Sequence, residues 1–313
     1  MAILIDKKTK VLIQGITGRE GSRAAREMLS YGTKVLAGVT PGKGGQKVEG
    51  IPVYDTVYEA VEKHAIDATL VAVPAPFVRD AALEAIHSEI PLVNILTEHV
   101  TTKDSAIITA LAREYGTRVV GPSSVGIISV GKSKIGSIGS SEMHKVFKPG
   151  SVGIISKSGG MTAEIAVTLS RAGIGQSTVV GIGGDKIIGS DFKDLLELFE
   201  EDKQTKAVVI FGEIGGTYEE LAADFVKAGG FTKPLVAIIA GKFSERLPRE
   251  TVLGHAGAIV SKGRGGYTSK VRALKSAGVY VTNTLEEIPL ILKEAMGVQI
   301  AKKVLRNDKK IKR

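Results

Sequence analysis

The sequence predicts an α/β protein of two domains, each with a doubly wound parallel sheet. Three observations predict it. Short apolar runs of strand length alternate with amphipathic segments of helical period along nearly the whole chain. The strand-like runs carry few polar residues, as strands covered on both faces do. Gly is abundant, at 38 of 313 residues, and supplies tight strand-to-helix turns.

TKVLIQG reads as a buried strand and Arg19 to Leu29 as a helix. TKVLAGVT and GIPVYDT follow as strands, then TVYEAVEKHA as an amphipathic helix. ATLVAVPAP, almost without polar residues, is a strand, FVRDAALEAIHSEI a helix, PLVNILTE a strand, SAIITALAREYG a helix and TRVVGPSS a strand. Such alternation requires crossover connections and therefore parallel pairing. The rhythm breaks between Gly126 and Pro149, a stretch rich in Gly, Ser and Lys, which is expected to cross between domains. It restarts with SVGIISKS (strand), MTAEIAVTLSRAG (helix), STVVGIGG (strand), DFKDLLELFEED (helix), KAVVIFGEIGG (strand) and YEELAADFVKAG (helix). KPLVAIIAG, TSKVRALKSAG, VYVTN and LEEIPLILKEAM complete it as strand, helix, strand and helix. The expected organisation is a domain over 1–125, a connecting segment over 126–149 and a second domain over 150–313.

Composition narrows the function classes. Hydrophobic residues at 43% and charged residues at 24% suit a globular protein with real cores. With no Cys there is no disulfide, no thiolate metal site and no cysteine nucleophile. No paired His or HExxH arrangement suggests a metal site, and no GxSxG elbow is present. MAILIDKKTKVLIQG lacks the pattern of a signal peptide, and no apolar run approaches the ~18 residues of a membrane span. A cytoplasmic protein is expected. The net charge of +9 lies partly in the basic tail AKKVLRNDKKIKR. Without aromatic–basic interleaving, nucleic acid is not the expected partner, whereas a pyrophosphate-bearing ligand or an acidic partner subunit suits the charge.

Five motifs could carry chemistry. GITGREG (15–21) follows a strand and opens a helix, where free N–H groups and the helix dipole favour an anion. The place of the ribose-binding acid of a nicotinamide site is taken by GVTPGKGGQ, which has no acid but has Lys43. That disfavours NAD and leaves NADP, coenzyme A or a plain structural turn. ISKSGGMTAE (155–164) repeats the logic, with Ser156, Ser158, Gly159 and Gly160 at a helix start, either as an anion site or as ordinary Ser capping. GIGGDKIIGSD (181–191) and FGEIGG (211–216) lie at carboxyl ends of strands, where open α/β sheets bind ligands, and put Glu213 on that side. GHAGAIVSKGRGG (254–266) frames His255 with small residues that leave its imidazole approachable. Of the other histidines, His64 and His87 fall on polar helix surfaces, His99 at a strand end and His144 in the crossing segment.

In order and spacing, VLIQGITGREG, GTKVLAGVTPGKGG, VPAPF, GIGGD, FGEIGG and GHAGAIVSKGRGG resemble the succinate–CoA ligase (succinyl-CoA synthetase) alpha-subunit family over roughly residues 8 to 295. The resemblance implies a Rossmann-like CoA-binding domain followed by a flavodoxin-like ligase domain. It implies that Thr17, Gly18, Arg19, Glu20 and Lys43 contact coenzyme A, with Leu96, Thr97 and Glu98 lining the same site. It implies that His255 is phosphorylated, that Glu213 orients its ring, and that the helix start at Ser156 to Gly160 steadies the phosphoryl group. The chain has no evident nucleotide-grasping domain. The family implies a beta subunit with an ATP-grasp domain, which would bind ATP or GTP with Mg2+, and a small di- or tricarboxylic acid as substrate. Two segments depart from that family: GPSSVG (121–126) stands where it has GPN-x-PG, and SKSGGMTAE where it has SRSGTLTYE, with Ala163 at its tyrosine position. Both resemble the ATP-citrate lyase and citrate–CoA ligase relatives, so a citrate–CoA ligase or ATP-citrate lyase small subunit is the alternative. A non-catalytic CoA- or NADP-binding module is the reading from another class.

Overall fold

The computed structural model describes residues 3–139, 143–246 and 265–297. Its first unit runs β1 (Lys10–Gln14), α1 (Arg19–Ser30), β2 (Lys34–Val39), β3 (Lys47–Val48), β4 (Ile51–Tyr54), α2 (Val57–Lys63), β5 (Ala68–Val71), α3 (Val78–His87), β6 (Leu92–Ile95), α4 (Thr102–Tyr115) and β7 (Arg118–Val120). The sheet order is β3-β4-β2-β1-β5-β6-β7, parallel throughout except for the short β3–β4 pair. The chain builds outward from β1 to β4 on one side, then returns across β1 to start β5 on the other. The reversal between β1 and β5 opens a crevice at the strands' carboxyl ends.

The second unit runs β8 (Gly126–Ser129), β9 (Ser133–Gly136), α5 (Met143–Val146), β10 (Pro149–Ser156), α6 (Gly159–Arg171), β11 (Gln176–Gly181), α7 (Phe192–Glu201), β12 (Ala207–Glu213), α8 (Tyr218–Lys227), β13 (Leu235–Ala240), α9 (Tyr267–Ser276), β14 (Tyr280–Thr282) and α10 (Glu287–Ala295). Its order is β14-β13-β12-β10-β11-β8-β9. From β14 to β11 the strands are parallel in the flavodoxin-like order, and the reversal lies between β10 and β12.

The connecting segment expected over 126–149 does more than connect. Its β8 and β9 form an antiparallel hairpin on the edge of the second sheet, paired through β11, so that sheet is parallel only in its central part. The alternation rule missed the hairpin because each strand has only four residues and because polar residues point inward. Ser129, Ser133 and Lys134 are all buried. Gly126, at φ +117°, lets the two backbones close up: a Cβ there would sit 2.0 Å from the Ile135 carbonyl oxygen.

Helix faces explain the layers. On α7 the buried residues are Phe192, Leu195, Leu196 and Phe199, a stripe at helical spacing whose burial stabilises by roughly 2 kcal/mol per side chain. The Phe199 ring lies over Gly153 of β10, where a Cβ would come within 2.6 Å of it. One apolar cluster runs from Val11, Ile13 and Leu70 of the first sheet to Ile155, Val180 and Ile210 of the second, so the two units share a core.

Polar bonds pin the same junction. The Thr33 hydroxyl donates to the Lys134 carbonyl (2.8 Å) and accepts from its N–H (3.0 Å). Lys134 Nζ, fully buried, reaches Glu27 Oε2 of α1 at 3.1 Å. Burial holds the Lys134 ammonium below the usual lysine range, and Glu27 partly offsets that. Ser190 Oγ donates to the Val119 carbonyl (2.6 Å), and Asn94 Nδ2 to Ser124 Oγ (2.7 Å). No helix among the described residues is long and apolar enough to cross a membrane.

Candidate functional site

The first-domain crevice is built from four adjacent turns. After β1 the chain turns at Gly15, φ +78°, where a Cβ would meet the Ala72 carbonyl oxygen of the β5 turn at 2.6 Å. Gly21 packs the first turn of α1 on Gly15 so closely that a Cβ would lie 2.2 Å from the Gly15 carbonyl oxygen. Gly18 caps α1 without any side-chain hydrogen bond, so the helix start presents backbone N–H groups on an exposed surface. Thr17 ties this turn to the end of β2: its N–H and hydroxyl both reach Thr40 Oγ1, at 3.4 and 3.2 Å. On the other side, Thr97 Oγ1 donates to the Val73 carbonyl (2.6 Å), joining the β6 turn to the β5 turn.

The structure therefore brings Thr17, Gly18, Arg19, Leu96 and Thr97 to one edge. Glu20 lies on the same helix start and pairs outward with Arg23 at 2.6 Å. Lys43 and Glu98 are exposed on flanking loops. A glycine cradle, an open helix start and an exposed Lys fit a ligand with a pyrophosphate.

The second-domain crevice lies where β10 and β12 end side by side. Ser156 pairs with Phe211, and the Lys157 N–H donates to the Phe211 carbonyl (3.1 Å). Ser156 Oγ donates to the Ser158 carbonyl (2.8 Å) and accepts from the Ser158 N–H (3.2 Å), so this hydroxyl shapes the turn rather than facing a ligand. Ser158 caps α6, accepting from the Met161 N–H at 3.4 Å. At Gly159 a Cβ would collide with Val125 (2.3 Å), whereas at Gly160, which is exposed, it would meet nothing within 4 Å. The two segments that depart from the family, 121–126 and 156–164, are thus in contact through Val125.

Glu213, the last residue of β12, is buried beside this helix start. Its N–H donates to Glu219 Oε1 (3.1 Å), and Lys157 Nζ lies 3.3 Å from its Oε1. Lys157 is 1% exposed and approaches the Tyr218 ring at 5.9 Å from the centroid. Tyr218 donates its hydroxyl to the Lys186 carbonyl (3.1 Å), and burial holds that phenol above its usual range. Behind Glu213 stands a second group of buried charges. Lys270 Nζ, fully buried, is bonded to Glu219 Oε2 and lies 3.3 Å from Glu220 Oε2. Glu220 Oε1 accepts from the Gly265 N–H and Ser269 Oγ, each at 3.1 Å, and the Gly215 N–H donates to the Gly265 carbonyl (2.7 Å). The site thus includes Lys157, Glu219, Glu220 and Lys270, which motif reading passed over. Lys157 stood inside a motif read for its small residues. The other three look like ordinary helix-surface charges in sequence.

His255 lies outside the described residues. Among the other histidines, His64 Nε2 meets the Tyr54 hydroxyl at 2.8 Å, and His87 packs edge-on against Tyr115.

A Rossmann-type unit with an anion-receptive glycine turn, joined to a flavodoxin-type unit with a second such turn beside a buried carboxylate, defines a CoA-ligase architecture. The CoA binding domain family matches residues 6–99 and the CoA-ligase family residues 155–280. Succinate–CoA ligase (ADP-forming) subunit alpha 2 of Archaeoglobus fulgidus is 47% identical over 296 residues, 95% of this chain and 100% of its own length. The alpha subunit of Staphylococcus aureus is 45% identical over 295 residues, 94% of this chain and 95% of its own. The chain belongs to the succinate–CoA ligase alpha-subunit family. Among solved structures, a mutant ATP citrate lyase from Methanosaeta concilii in complex with (3S)-citryl-CoA matches with a TM-score of 0.88 at 27% identity, covering 95% of this chain. ATP citrate lyase from Methanothrix soehngenii in complex with citrate and coenzyme A gives 0.87 at 27% identity, covering 94%. This chain spans about half the length of those two, 51% and 50%.

Proposed function

We propose that this chain is the alpha subunit of a nucleotide-dependent, ADP- or GDP-forming acid–CoA ligase with succinate as its acid, working through an acyl phosphate and a phosphohistidine at His255. The observation that carries this reading is the meeting of the α6 start and Glu213 at one switch point, in a chain 47% identical to a succinate–CoA ligase alpha subunit over nearly its whole length. Coenzyme A would lie across the first crevice, its phosphates toward the turn at Thr17 and Gly18 and the open N–H groups of Arg19 and Glu20, with Lys43 nearby, and its thiol arm past Leu96, Thr97 and Glu98. A beta subunit with an ATP-grasp domain would supply ATP, or GTP, with Mg2+. The domain division at 1–125 and 150–313 and a cytoplasmic location belong to the same reading.

A carboxylate is a poor acyl donor because its oxygen is a poor leaving group. Nε2 of a neutral His255 attacks the terminal phosphorus of the nucleotide, and the bond to the bridging oxygen breaks with its electron pair going to the diphosphate. Glu213 accepts the N–H on the other ring nitrogen and fixes the tautomer. The helix start at Ser158 to Gly160, with the Gly159 and Gly160 N–H groups open, holds the phosphoryl charge without reorganising. The acid's carboxylate oxygen then takes the phosphoryl group from nitrogen, and the CoA thiolate displaces phosphate from the acyl carbon.

A specific feature favours citrate as the second reading: the open space over Gly160, in a helix start that matches the citrate-cleaving relatives. The test is an acid panel. The chain is co-expressed with its beta-type subunit and given ATP, Mg2+, CoA and either succinate, citrate or malate, and each thioester is identified by mass. Succinyl-CoA as the main product is expected, with all turnover and all His255 phosphate lost in His255→Ala. Citryl-CoA would move the chain to the citrate branch. No thioester from any acid, with no phosphate on His255, would leave a CoA-binding module.

A further inference from the structure

We infer that Lys157 is the positioning residue of the phosphoryl-transfer site: a buried ammonium that fixes and charge-compensates Glu213, acting through that carboxylate and not by touching substrate. The inference rests on the phosphohistidine reading above and deepens it.

Three features carry it. Lys157 and Glu213 are brought together only because β10 and β12 are neighbours in register, with Ser156 opposite Phe211. Their charged ends lie 3.3 Å apart at the switch point, with side chains 1% and 11% exposed. Lys157 also immediately precedes Ser158, the cap of α6, so one residue joins the carboxylate to the helix start. With 1% exposure, Lys157 has no surface to offer a substrate. Its influence reaches the crevice through Glu213.

The chemistry calls for such a partner. A carboxylate beside a phosphorylated imidazole faces phosphoryl oxygens of its own sign. In a buried setting that repulsion is poorly screened. An ammonium 3.3 Å from Oε1 makes the pair neutral as a unit and holds the carboxylate in place by charge, so that it can accept a ring N–H in a site that also takes phosphoryl oxygens. Burying the pair costs desolvation, which an apolar pair of the same volume would avoid. Retaining two charges at the strand ends is consistent with use rather than with stability alone.

The experiment uses the enzyme assembled with its beta-type subunit. Phosphate on His255 is followed in single-turnover mixing with labelled ATP, and steady-state kcat and KM are measured for CoA and the acid. Lys157→Met is expected to slow His255 phosphorylation on the order of 10- to 100-fold, as loss of outer-sphere partners does elsewhere, with KM for CoA and acid within about twofold. Lys157→Arg should restore most of the rate. The double variant Lys157→Met/Glu213→Gln should be no slower than Glu213→Gln alone, because the lysine's effect passes through the carboxylate. Should methionine alone prevent assembly, the charge-neutral double variant and the arginine variant decide: an equal rate in the double and the Glu213 single, with arginine rescue, supports the assignment. Additive losses in the double variant, or a raised KM for the acid, would overturn it in favour of a separate or substrate-touching role. A Lys157→Met enzyme phosphorylated at the normal rate would overturn it outright. If the unmutated enzyme carries no phosphate on His255, the proposed function itself fails, and that result is distinct from all of these.

Discussion

Both domains open a helix directly off the central strand of their sheet, and the two openings are made of different materials. The first is made of backbone. Gly15 bends the chain at φ +78°, Gly21 lets the helix close on the turn, and Gly18 caps α1 with no side chain at all. The bonds that tie its turns to one another are neutral hydroxyl contacts, Thr17 to Thr40 and Thr97 to Val73, and its charged pair, Glu20 with Arg23, points outward. The second is made of side chains. Ser158 caps α6, Lys157 faces Glu213, and Glu219, Lys270 and Glu220 stand behind. Holding an anion needs open N–H groups and room for close approach. Moving a phosphoryl group needs charges fixed in place before the reaction, and buried charges must be anchored by partners.

The strongest way to break the second opening is Lys270→Met, which leaves Glu219 buried without its cation. We expect a loss of about 3–5 kcal/mol of unfolding free energy by urea denaturation. A loss below about 1 kcal/mol would show that the carboxylates are satisfied without Lys270.

A smaller effect is expected from breaking the first opening. Gly15→Ala forces a side chain into a left-handed backbone and sets its Cβ 2.6 Å from the Ala72 carbonyl oxygen. About 1–3 kcal/mol of stability should be lost. CoA affinity, measured by calorimetry on the folded enzyme, should fall about tenfold, equivalent to 1.4 kcal/mol. His255 phosphorylation from ATP should proceed at its usual rate. Parallel loss of both functions would mean that the two openings are not separable.

The smallest effect sharpens the contrast in capping. Unlike α1, α7 is capped by Asp191 in a reciprocal box with Asp194. Burial, and then repulsion from Asp194, hold the Asp191 carboxyl above its ordinary 3.8. An acid whose folded-state value lies above its unfolded value binds more protons when folded. Its contribution therefore falls as pH rises from 3.8 through the folded value. Asn serves equally as a cap. Asp191→Asn should therefore flatten the dependence of the urea midpoint on pH in that interval. An unchanged slope would assign the dependence to other groups.

The sequence by itself determined the parallel strands of both sheets and both helix openings. Strand and helix periods are local, and so is the turn chemistry of GITGREG and SKSGG, so residues within one short window suffice to read them. Glu213 was legible for the same reason, as the last residue of an apolar run. The tertiary structure alone decided which strands stand side by side. It turned 126–136 into an edge hairpin, whose inward Ser129, Ser133 and Lys134 give no apolar alternation to read. It also decided which charges are buried. Lys134 finds Glu27 across 107 residues, Lys270 finds Glu219 across 51, and Lys157 meets Glu213 only because β10 and β12 are neighbours. A lysine is tolerated inside a protein only beside a partner, and when that partner comes from a distant strand or helix, no local pattern announces it.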